Sequence, residues 1–422
     1  MKNKIILIED KKNCCGCSAC ANICPKKAIT MEEDEYGFIF PVINYEKCIK
    51  CGMCKNVCAY QNNKIVLNSP LKAYAATTIN KDILEKSTSG GISAQIAKNF
   101  ISQNGIVYGC ALNKRNGKFF PEHIRIDNIN ELKKIQGSKY AQSDMNDTYQ
   151  AILTDLKNNK NVLFFGTPCQ TMAVRKFVEG YDKNFYSIDI ICHGVPSKKM
   201  FQDYIIFLEN KHKLNIDEVI FRDKVKGWET SNIIGYTCKL KYTSKSGKQK
   251  NKYISSYMSS YYKLFLNSET YRENCYTCKY AGKNRAGDIT IGDYWGIKEQ
   301  HPEYLTQNGG RLDEHYGISC MLVNSEKGKF LMENYGKDII YKASNFSKIA
   351  IKNSQLNEPC NIGKNRKKIM ELYSKYGYSA VEKWYLRNLG VKRILYLLWL
   401  NVPRAIQKKI KKKSDNINKD KL

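Results

Sequence analysis

The feature that most constrains this chain is a run of four cysteines that occurs twice within its first sixty residues. Each run has the spacing CxxCxxCxxxC. The first run consists of Cys14, Cys17, Cys20 and Cys24, and the second of Cys48, Cys51, Cys54 and Cys58. Three thiolates spaced in this way on a tight loop can bind three corners of one [4Fe–4S] cube, and the fourth leads to a neighbouring cube. The spacing therefore predicts two [4Fe–4S] clusters.

The same spacing predicts that each cluster draws ligands from both runs. One cluster is assigned to Cys14, Cys17, Cys20 and Cys58, and the other to Cys48, Cys51, Cys54 and Cys24. A zinc ribbon is the alternative, but zinc takes four ligands per ion and gives no reason for the third and fourth cysteine of each run. Cys15 lies off the spacing and is interpreted as an ordinary cysteine.

The segment between the two runs predicts a β-hairpin. Residues 29–48 alternate apolar and polar side chains around a turn at 34–37. A hairpin in this place is typical of a bacterial-type diferredoxin, a module that we assign to residues 1–65. The segment QNNKIVLNSP that follows has the composition of a linker, which ends near Pro70.

A different pattern begins at Leu71, where apolar segments alternate with amphipathic ones. Strands are predicted in AYAATT, GIVYGCAL, NVLFFGTPC, FYSIDIICHG, EVIFRD, GYTCKLKY, DITIGDYWG and ISCMLVN. Helices are predicted over 93–103, 146–157, 171–178 and 198–212. Short apolar strands between helices indicate a sheet covered by helices, so an α/β domain is expected over 71–335. The fold class of the whole chain is α+β, with a helical extension over 336–422.

Composition narrows the class of protein and its compartment. The 17 cysteines occur at short, regular spacings, which favours metal over disulfides and a reducing, cytoplasmic compartment. The N-terminus does not have the pattern of a signal peptide, and no apolar run is long enough to span a membrane. The net charge is +29, but no nucleic-acid-binding motif accompanies it. The high content of Lys, Asn, Ile and Tyr is explained most simply by a compositionally biased genome. Among possible partners, an acidic redox partner, an anionic cofactor or a membrane surface fits this charge better than nucleic acid does.

Four cysteines of the second domain could form a further metal site. Cys169 and Cys192 follow two successive buried-type strands, and Cys275 and Cys278 form a CxxC pair in a loop. Two strand ends and one loop pair could meet at a single four-thiolate site. The alternative is two ordinary buried cysteines and a separate redox or zinc pair. Spacing alone does not decide between these interpretations.

Two further segments carry residues suited to binding a cofactor. Residues 87–91 read STSGG and open a predicted helix, whose first N–H groups could bind phosphate. A serine cap with a glycine turn is the simpler interpretation. Residues 292–296 read GDYWG at a strand end and could place aromatic rings against a flavin, although a packed tryptophan is commoner there.

The order of seven segments resembles the family of coenzyme F-420 hydrogenase/dehydrogenase beta subunits. The segments are STSGGISA, GIVYGCAL, KYAQSD, GTPCQTMAVRKF, DIICHGVP, CYTCKYAGKNRAGDITIGDYWG and GISCMLVNSEKG. The resemblance extends to about Glu333. Similar proteins include beta subunits that pass electrons between clusters and the deazaflavin F-420, and plastid chlorophyll reductases.

This resemblance implies a non-covalent FAD and a third [4Fe–4S] cluster in the large domain. The third cluster would be held by Cys169, Cys192, Cys275 and Cys278. The flavin would lie at Ser87, Ser89, Gly90 and Gly91, with further contacts from Lys139, Tyr140 and Asp293. The resemblance names no catalytic residue. A nickel–iron centre needs two CxxC pairs, and only one occurs outside the two runs, so hydrogen activation is not expected.

The C-terminal segment VKRILYLLWLNVPRAIQKKIKKK combines an apolar stripe with a basic end. It could make peripheral contact with an anionic membrane, or dock on the domain and trail a solvated tail, which we favour.

Together these features lead to a functional expectation. We expect an iron–sulfur flavoprotein oxidoreductase that relays electrons from the ferredoxin-type clusters through the third cluster to FAD. The final recipient would be a small-molecule hydride acceptor such as coenzyme F-420, and the donor a redox partner protein or ferredoxin. Two alternatives remain: a non-catalytic electron-transfer subunit of a larger complex, and a reductase of a specific metabolite or polysaccharide precursor.

Overall fold

The computed structural model describes residues 5–61, 65–228, 235–244 and 246–400, together with residues 402 and 406. The strands are β1 (Ile29–Glu33), β2 (Ile39–Ile43), β3 (Lys72–Thr78), β4 (Ile106–Arg115), β5 (Lys118–Ile126), β6 (Val162–Gly166), β7 (Phe185–Ile190), β8 (Asn215–Asp223), β9 (Thr237–Thr243), β10 (Gln249–Ser255), β11 (Ile289–Asp293), β12 (Ser319–Val323) and β13 (Ile339–Ser344). The helices are α1 (Ala19–Asn22), α2 (Met53–Asn56), α3 (Lys81–Lys86), α4 (Ile92–Ser102), α5 (Leu132–Ile135), α6 (Thr148–Lys157), α7 (Pro168–Phe177), α8 (Lys198–His212), α9 (Ser260–Leu266), α10 (Ile297–Gln300), α11 (Glu326–Tyr335), α12 (Phe346–Ala350), α13 (Arg366–Tyr376) and α14 (Tyr378–Leu400).

The N-terminal unit is built from two similar loop–helix segments and one hairpin. Short helices α1 and α2 each contain the third cysteine of a run, and each begins after a residue in the left-handed conformation. These residues, Ser18 and Gly52, stand at the same place in the two runs, so the repeated spacing produces a repeated backbone. Strands β1 and β2 form the predicted hairpin, and they pair antiparallel with Ile29 opposite Ile43. The Asp34 carboxylate accepts the Tyr36 and Phe38 N–H groups and closes the turn.

An eight-stranded mixed sheet forms the centre of the large domain. Its strand order is β13-β3-β12-β11-β7-β6-β4-β5, with parallel pairing from β4 through β6 and β7 to β11 and antiparallel pairing elsewhere. Strands β6 and β7 are buried along most of their length, because helices cover the sheet. The N-terminal ferredoxin-type unit is therefore followed by a mixed α/β domain. Sequence patterns located most of its strands but did not identify β5, β10 or β13.

Because β6 and β7 are parallel neighbours, the segments that follow them meet at one edge of the sheet. Cys169 lies in the first turn of α7, immediately after β6, and Cys192 lies two residues beyond β7. The predicted helix at 171–178 begins earlier than expected, since Thr167 and Gln170 form a capping box around Pro168. This topology brings the two cysteines to the same edge.

A second, three-stranded antiparallel sheet, β10-β9-β8, packs with α8 and α9 around a cluster rich in aromatic side chains. Helices α13 and α14 also dock on this cluster. Tyr378 shares a hydrogen bond of 2.7 Å with Ser260, and Glu382 accepts from Lys211 at 2.9 Å. The helical part of the C-terminal extension up to residue 389 therefore contributes to the core. The basic tail over 407–422 lies outside the described residues.

Strand β13 shows that the predicted boundary at residue 336 does not separate two units. β13 pairs with β3 along its whole length and forms the edge of the main sheet. Within the described residues, no helix has the length and apolarity needed to cross a membrane.

Candidate functional site

The first group of predicted ligands comes together from both cysteine runs. Cys14, Cys17, Cys20 and Cys58 line a small cavity of about 30 Å³ in the N-terminal unit. Burial raises the pKa of the Cys14, Cys20 and Cys58 thiols, and the neighbouring cysteines raise it further. Buried thiols of this kind become thiolates when a metal centre compensates their charge. The structure thus places Cys58 with the first run, as the crossed assignment requires.

The second group lies nearer the surface. Cys48 and Cys51 both act electrostatically on Cys54, whose pKa is raised chiefly by burial. Cys24 packs in the same apolar cluster as Cys54, together with Leu7 and Ile29. Cys51 is exposed to solvent. This group therefore faces outward, whereas the first group faces the large domain.

Backbone N–H groups point at cysteine sulfurs in both groups. Gly16 donates to Cys14 Sγ at 3.4 Å, and Ala28 donates to Cys24 Sγ at 3.3 Å. Hydrogen bonds to the sulfurs of a cluster stabilise its negative charge and tune its reduction potential. The surroundings of the predicted ligands therefore fit iron–sulfur clusters.

The third predicted group, Cys169, Cys192, Cys275 and Cys278, is also brought together. Cys169 and Cys278 act electrostatically on Cys192, and all three act on Cys275. Burial raises the pKa of Cys192, Cys275 and Cys278, so this group too is suited to a metal centre. Across the described part of the chain, no three or more His, Cys, Asp or Glu side chains converge as they would around one mononuclear ion.

Cys15 was not recognised from the sequence, because it lies off the ligand spacing. Its buried thiol packs in one cluster with Cys17 and Cys169, and its interaction with them lowers the pKa of both partners. Cys15 therefore stands between the first and third groups. The interpretation as an ordinary cysteine missed this position, since only the contact between the two domains reveals it.

Tyr60 connects the same two groups by another route. It follows Cys58 by two residues, and its hydroxyl donates to Cys278 Sγ at 3.6 Å while it accepts from Asn274 at 2.8 Å. Buried Tyr280 packs edge-on against its ring and hydrogen-bonds the Ala59 carbonyl. The end of the second cysteine run is thereby fixed to the loop that carries the CxxC pair.

A cavity of about 430 Å³ opens beside the third group. Its wall includes Cys15, Cys169 and Cys192. Six of the seven predicted flavin contacts also line it: Ser87, Ser89, Gly91, Lys139, Tyr140 and Asp293. A volume of this size lies in the range of cofactor and substrate sites.

Residues 87–91 (STSGG) and residues 138–140 (SKY) are distant in sequence but form one wall of this cavity. Thr88 and Ser138 share a hydrogen bond of 2.9 Å between their hydroxyls, and the Ser138 N–H donates to Thr88 at 3.0 Å. Helix α4 begins here after Gly91, which has a φ of +75° and provides no side-chain cap. The first N–H groups of α4 thus remain available beside the cavity, which is a setting that favours anions.

Gly90 differs from its neighbours, because it packs against the sheet and does not line the cavity. A Cβ atom at this position would lie 2.4 Å from the Ala76 carbonyl oxygen and 2.9 Å from the Ser319 nitrogen. Its own carbonyl accepts the Thr78 N–H at 2.8 Å. The glycine therefore lets the segment approach β3 and β12 closely, and the expected flavin contact at Gly90 is replaced by a packing role.

We expect Gly90→Ala to destabilise the folded protein by about 1–3 kcal/mol, because the added methyl group meets backbone atoms that cannot move independently. Chemical unfolding of the purified protein measures the change. Gly117→Asn is the control, since that glycine has a φ of +76° and no atom within 4 Å of its added Cβ, and asparagine tolerates this conformation. Equal stability of Gly90→Ala and the unaltered protein would contradict the packing role.

Lys139 contributes a titratable cation to the cavity wall. Its Nζ donates to the Gln136 carbonyl at 2.8 Å and to the Gly137 carbonyl at 3.2 Å. Burial lowers its pKa from 10.5 to about 8, and the nearby Cys110 partly opposes this shift. The amine is therefore charged at neutral pH and loses its charge under mildly alkaline conditions.

The Asp293 carboxylate accepts hydrogen bonds from two neighbouring side chains. Its two carboxylate oxygens accept from Arg222 Nη1 at 3.1 Å and from Trp228 Nε1 at 2.8 Å. The Trp228 ring stacks on Trp295 with centroids 4.9 Å apart. Asp293 therefore orients Arg222 and the tryptophans at the cavity, and Arg222 is a lining residue that sequence analysis did not identify.

Three segments match family models. Residues 13–62 match the 4Fe-4S dicluster domain. Residues 73–149 match the N-terminal part, and residues 159–348 the C-terminal part, of the coenzyme F420 hydrogenase/dehydrogenase beta subunit. The two parts of the beta-subunit model together cover more than half of the chain.

Similar proteins include a component of the F(420)H(2) dehydrogenase of Methanosarcina mazei, which is 23% identical over 247 residues, or 54% of this chain and 66% of the relative. Pyruvate synthase subunit PorD of Thermotoga maritima is 41% identical over 54 residues, or 13% of this chain and 50% of the relative. The chain thus spans between half and about two thirds of the length of these two relatives.

Among solved structures, the F420-reducing [NiFe] hydrogenase complex from Methanosarcina barkeri contains a similar chain. The alignment covers 72% of this chain and 93% of that chain, with 15% identity and a TM-score of 0.43. The two cysteine runs lie within the segment that matches the dicluster domain. The cavity residues, apart from Cys15 and Asn353, lie within the beta-subunit segments. The chain belongs to the family of coenzyme F420 hydrogenase/dehydrogenase beta subunits and carries an N-terminal 4Fe-4S dicluster domain.

Proposed function

We propose that the protein is an iron–sulfur flavoprotein oxidoreductase that relays electrons between two ferredoxin-type clusters and a flavin through a third [4Fe–4S] cluster. The observation that supports this most strongly is the continuity of the three sites. Cys15 packs in one cluster with cysteines of the first and third groups, and it also lines the large cavity. Cys20 of the first group packs in the same apolar cluster as Cys24 and Cys54 of the second group. The proposed route therefore runs from the exposed second group through the first and third groups to the cavity.

In this proposal, Cys14, Cys17, Cys20 and Cys58 would hold the inner ferredoxin-type cluster. Cys48, Cys51, Cys54 and Cys24 would hold the outer cluster, and Cys169, Cys192, Cys275 and Cys278 the third. FAD would occupy the cavity lined by Ser87, Ser89, Gly91, Lys139 and Tyr140. When bound, the clusters carry single electrons and the flavin can exchange one or two.

The chain's own residues would position and insulate these groups. The N–H groups that begin α4 and the Lys139 ammonium would bind the anionic part of the flavin. Tyr60 and Tyr280 fill the space between the first and third cysteine groups with buried side chains, which excludes water. A hydride acceptor such as coenzyme F420 would enter through the same cavity.

The outer group offers a place for a redox partner. Exposed Cys51 is flanked by Ile49 and Met53, whose exposures are 58% and 41%. Apolar side chains around an exposed redox centre are suited to a transient contact with a ferredoxin or another redox protein. This observation also favours a second candidate function, that of a non-catalytic electron-transfer subunit in a larger complex.

Anaerobic reconstitution followed by iron, sulfide and flavin analysis tests the proposal. Three clusters correspond to about twelve irons per chain, and two to about eight. We expect about twelve irons and one FAD. A preparation with about eight irons and no flavin would support only the two clusters of the dicluster domain. A separate assay of the isolated chain with F420, flavin or viologen dyes distinguishes the two candidate functions, because only an enzyme would be active without a partner.

The pKa of Lys139 leads to a pH prediction. Its ammonium can pair with an anionic ligand below about pH 8, where the group is protonated, and this attraction weakens as the pH rises above that value. Fluorescence titrations should therefore show weaker FAD binding with increasing pH above about 8.

Lys139→Met is expected to weaken FAD binding at neutral pH by about tenfold and to flatten its pH dependence, because one charge-assisted hydrogen bond is lost. Lys133→Met, at an exposed position on α5, is the control. If Lys139→Met kept both the affinity and the pH profile of the unaltered protein, the assigned role of Lys139 would be wrong.

A further inference from the structure

One buried cation at the cavity has a donor that no described protein group uses. The Arg222 side chain is 5% exposed, and Arg222 lines the cavity. Its Nη1 donates to Asp293, but its buried Nη2 has no hydrogen-bond partner among the described residues. Leaving a charged donor unpaired in a buried position costs free energy, so such a group indicates an acceptor supplied by a ligand.

The backbone of β8 is distorted where it presents this side chain. Arg222 has a φ of +58°, and the pairing of β8 with β9 shifts register between Ile220 and Asp223. Bulges of this kind redirect a side chain and occur frequently beside functional sites. A non-glycine residue in the left-handed region is also unfavourable unless its surroundings fix it. Regular pairing of β8 with β9 is therefore interrupted at Arg222, the residue whose Nη2 has no partner among the described residues.

The groups around Arg222 hold its guanidinium in one plane and orientation. The guanidinium carbon lies 4.1 Å from the centroid of the Tyr236 ring and 5.1 Å from that of Trp295. Asp293, which anchors Nη1, is itself fixed by Trp228. A guanidinium packed against two aromatic rings keeps a fixed plane, and its fork of N–H groups donates along fixed directions, so it is suited to a planar partner.

We infer that Arg222 binds an acceptor atom on the edge of a planar heteroaromatic ring in the cavity. The ligand class is a pyrimidinedione, whose carbonyl oxygens and ring nitrogen accept hydrogen bonds. Flavins and deazaflavins share this edge, so the FAD ring and an incoming deazaflavin are two sources of the same chemistry. The inference rests on the proposed function and adds the residue that recognises the ring.

The test uses Arg222→Lys in the reconstituted full-length protein. Lysine keeps the positive charge but loses the planar fork, so Asp293 is not left without a cation. Binding of FAD and, in the FAD-loaded protein, binding of a deazaflavin are measured by fluorescence titration. The reduction potential of the bound flavin is measured in parallel. Arg311→Lys, at an exposed arginine, is the control, and iron content together with circular dichroism verifies the fold of both variants.

We expect Arg222→Lys to weaken one of the two titrations by about tenfold or more, the loss typical of a hydrogen bond from a charged donor. Weaker FAD binding with a more negative flavin potential assigns the acceptor to the flavin. Weaker deazaflavin binding alone assigns it to the incoming ring.

Unchanged affinities and an unchanged potential in Arg222→Lys would overturn the inference and leave the proposed function intact. Failure of the unaltered protein to bind FAD would overturn the proposed function, and this inference with it. The two failures are therefore distinguishable from the titration of the unaltered protein alone.

Discussion

Replacing Cys58 with alanine is expected to remove the cluster of the first cysteine run, although Cys58 belongs to the second run. Cys58 shares a cavity with Cys14, Cys17 and Cys20, and three thiolates leave one corner of the cube without a protein ligand. We expect a loss of about four irons per chain, with loss of the corresponding signal in electron paramagnetic resonance. Because this group lies against the large domain, its loss should also lower the stability of the whole chain.

Cys24→Ala is the reciprocal variant. It should remove the outer cluster with the same loss of iron, but with a smaller effect on stability, since that group lies near the surface. Cys238→Ala is the control, because Cys238 is buried in the aromatic cluster of the second sheet and belongs to none of the three groups. If Cys58→Ala instead released the cluster associated with Cys48, Cys51 and Cys54, the crossed assignment would be wrong.

Arg272→Ala is expected to weaken the contact between the two domains. Arg272 is 1% exposed and donates from Nε to the Cys14 carbonyl and from Nη2 to the Ile39 carbonyl, both at 2.8 Å. Its guanidinium also lies 4.1 Å from the centroid of the Phe40 ring. Removal leaves two carbonyls of the N-terminal unit without this donor and opens a cavity. We expect a loss of about 3 kcal/mol or more in the free energy of unfolding.

The same variant should also change a redox property. Arg272 Nη2 lies 3.6 Å from Cys14 Sγ, so it places positive charge beside a predicted cluster ligand. Loss of that charge should make the reduction potential of this cluster more negative. Unfolding is followed by the visible absorbance of the clusters and the potential by a dye-linked titration, with Arg311→Ala as the control. Unchanged stability together with an unchanged potential would exclude the role given to Arg272.

The local parts of this structure could be predicted from sequence. The cysteine spacing determines which residues share a tight loop, and the alternation within residues 29–48 predicts the hairpin that the structure contains. Helix α8 (Lys198–His212) has the predicted bounds, because Ser197 caps it and its apolar residues recur at helical spacing. In each case the determining interactions lie within a few residues along the chain.

Other parts depend on tertiary contacts that spacing does not encode. Spacing alone left the grouping of Cys169 and Cys192 with the CxxC pair undecided, because it depends on the parallel pairing of β6 with β7. Cys15, Arg222 and Arg272 carry no motif, and their positions follow from the contact between domains and from a bulge in β8. Strand β13 was missed because residues 341–343 are all exposed and do not alternate in burial, as an edge strand allows.

The contact between the N-terminal unit and the large domain has a consequence for how fast electrons could move. Tyr149 donates to the Cys17 carbonyl at 2.7 Å, Gln142 to the Cys15 carbonyl at 2.9 Å, and Ser197 to the Tyr36 carbonyl at 2.7 Å. A carrier held in this way does not swing between a loading and an unloading position. The rate of internal electron transfer in the proposed relay should therefore be insensitive to solvent viscosity. Only the rate of association with an external partner should fall as the viscosity rises.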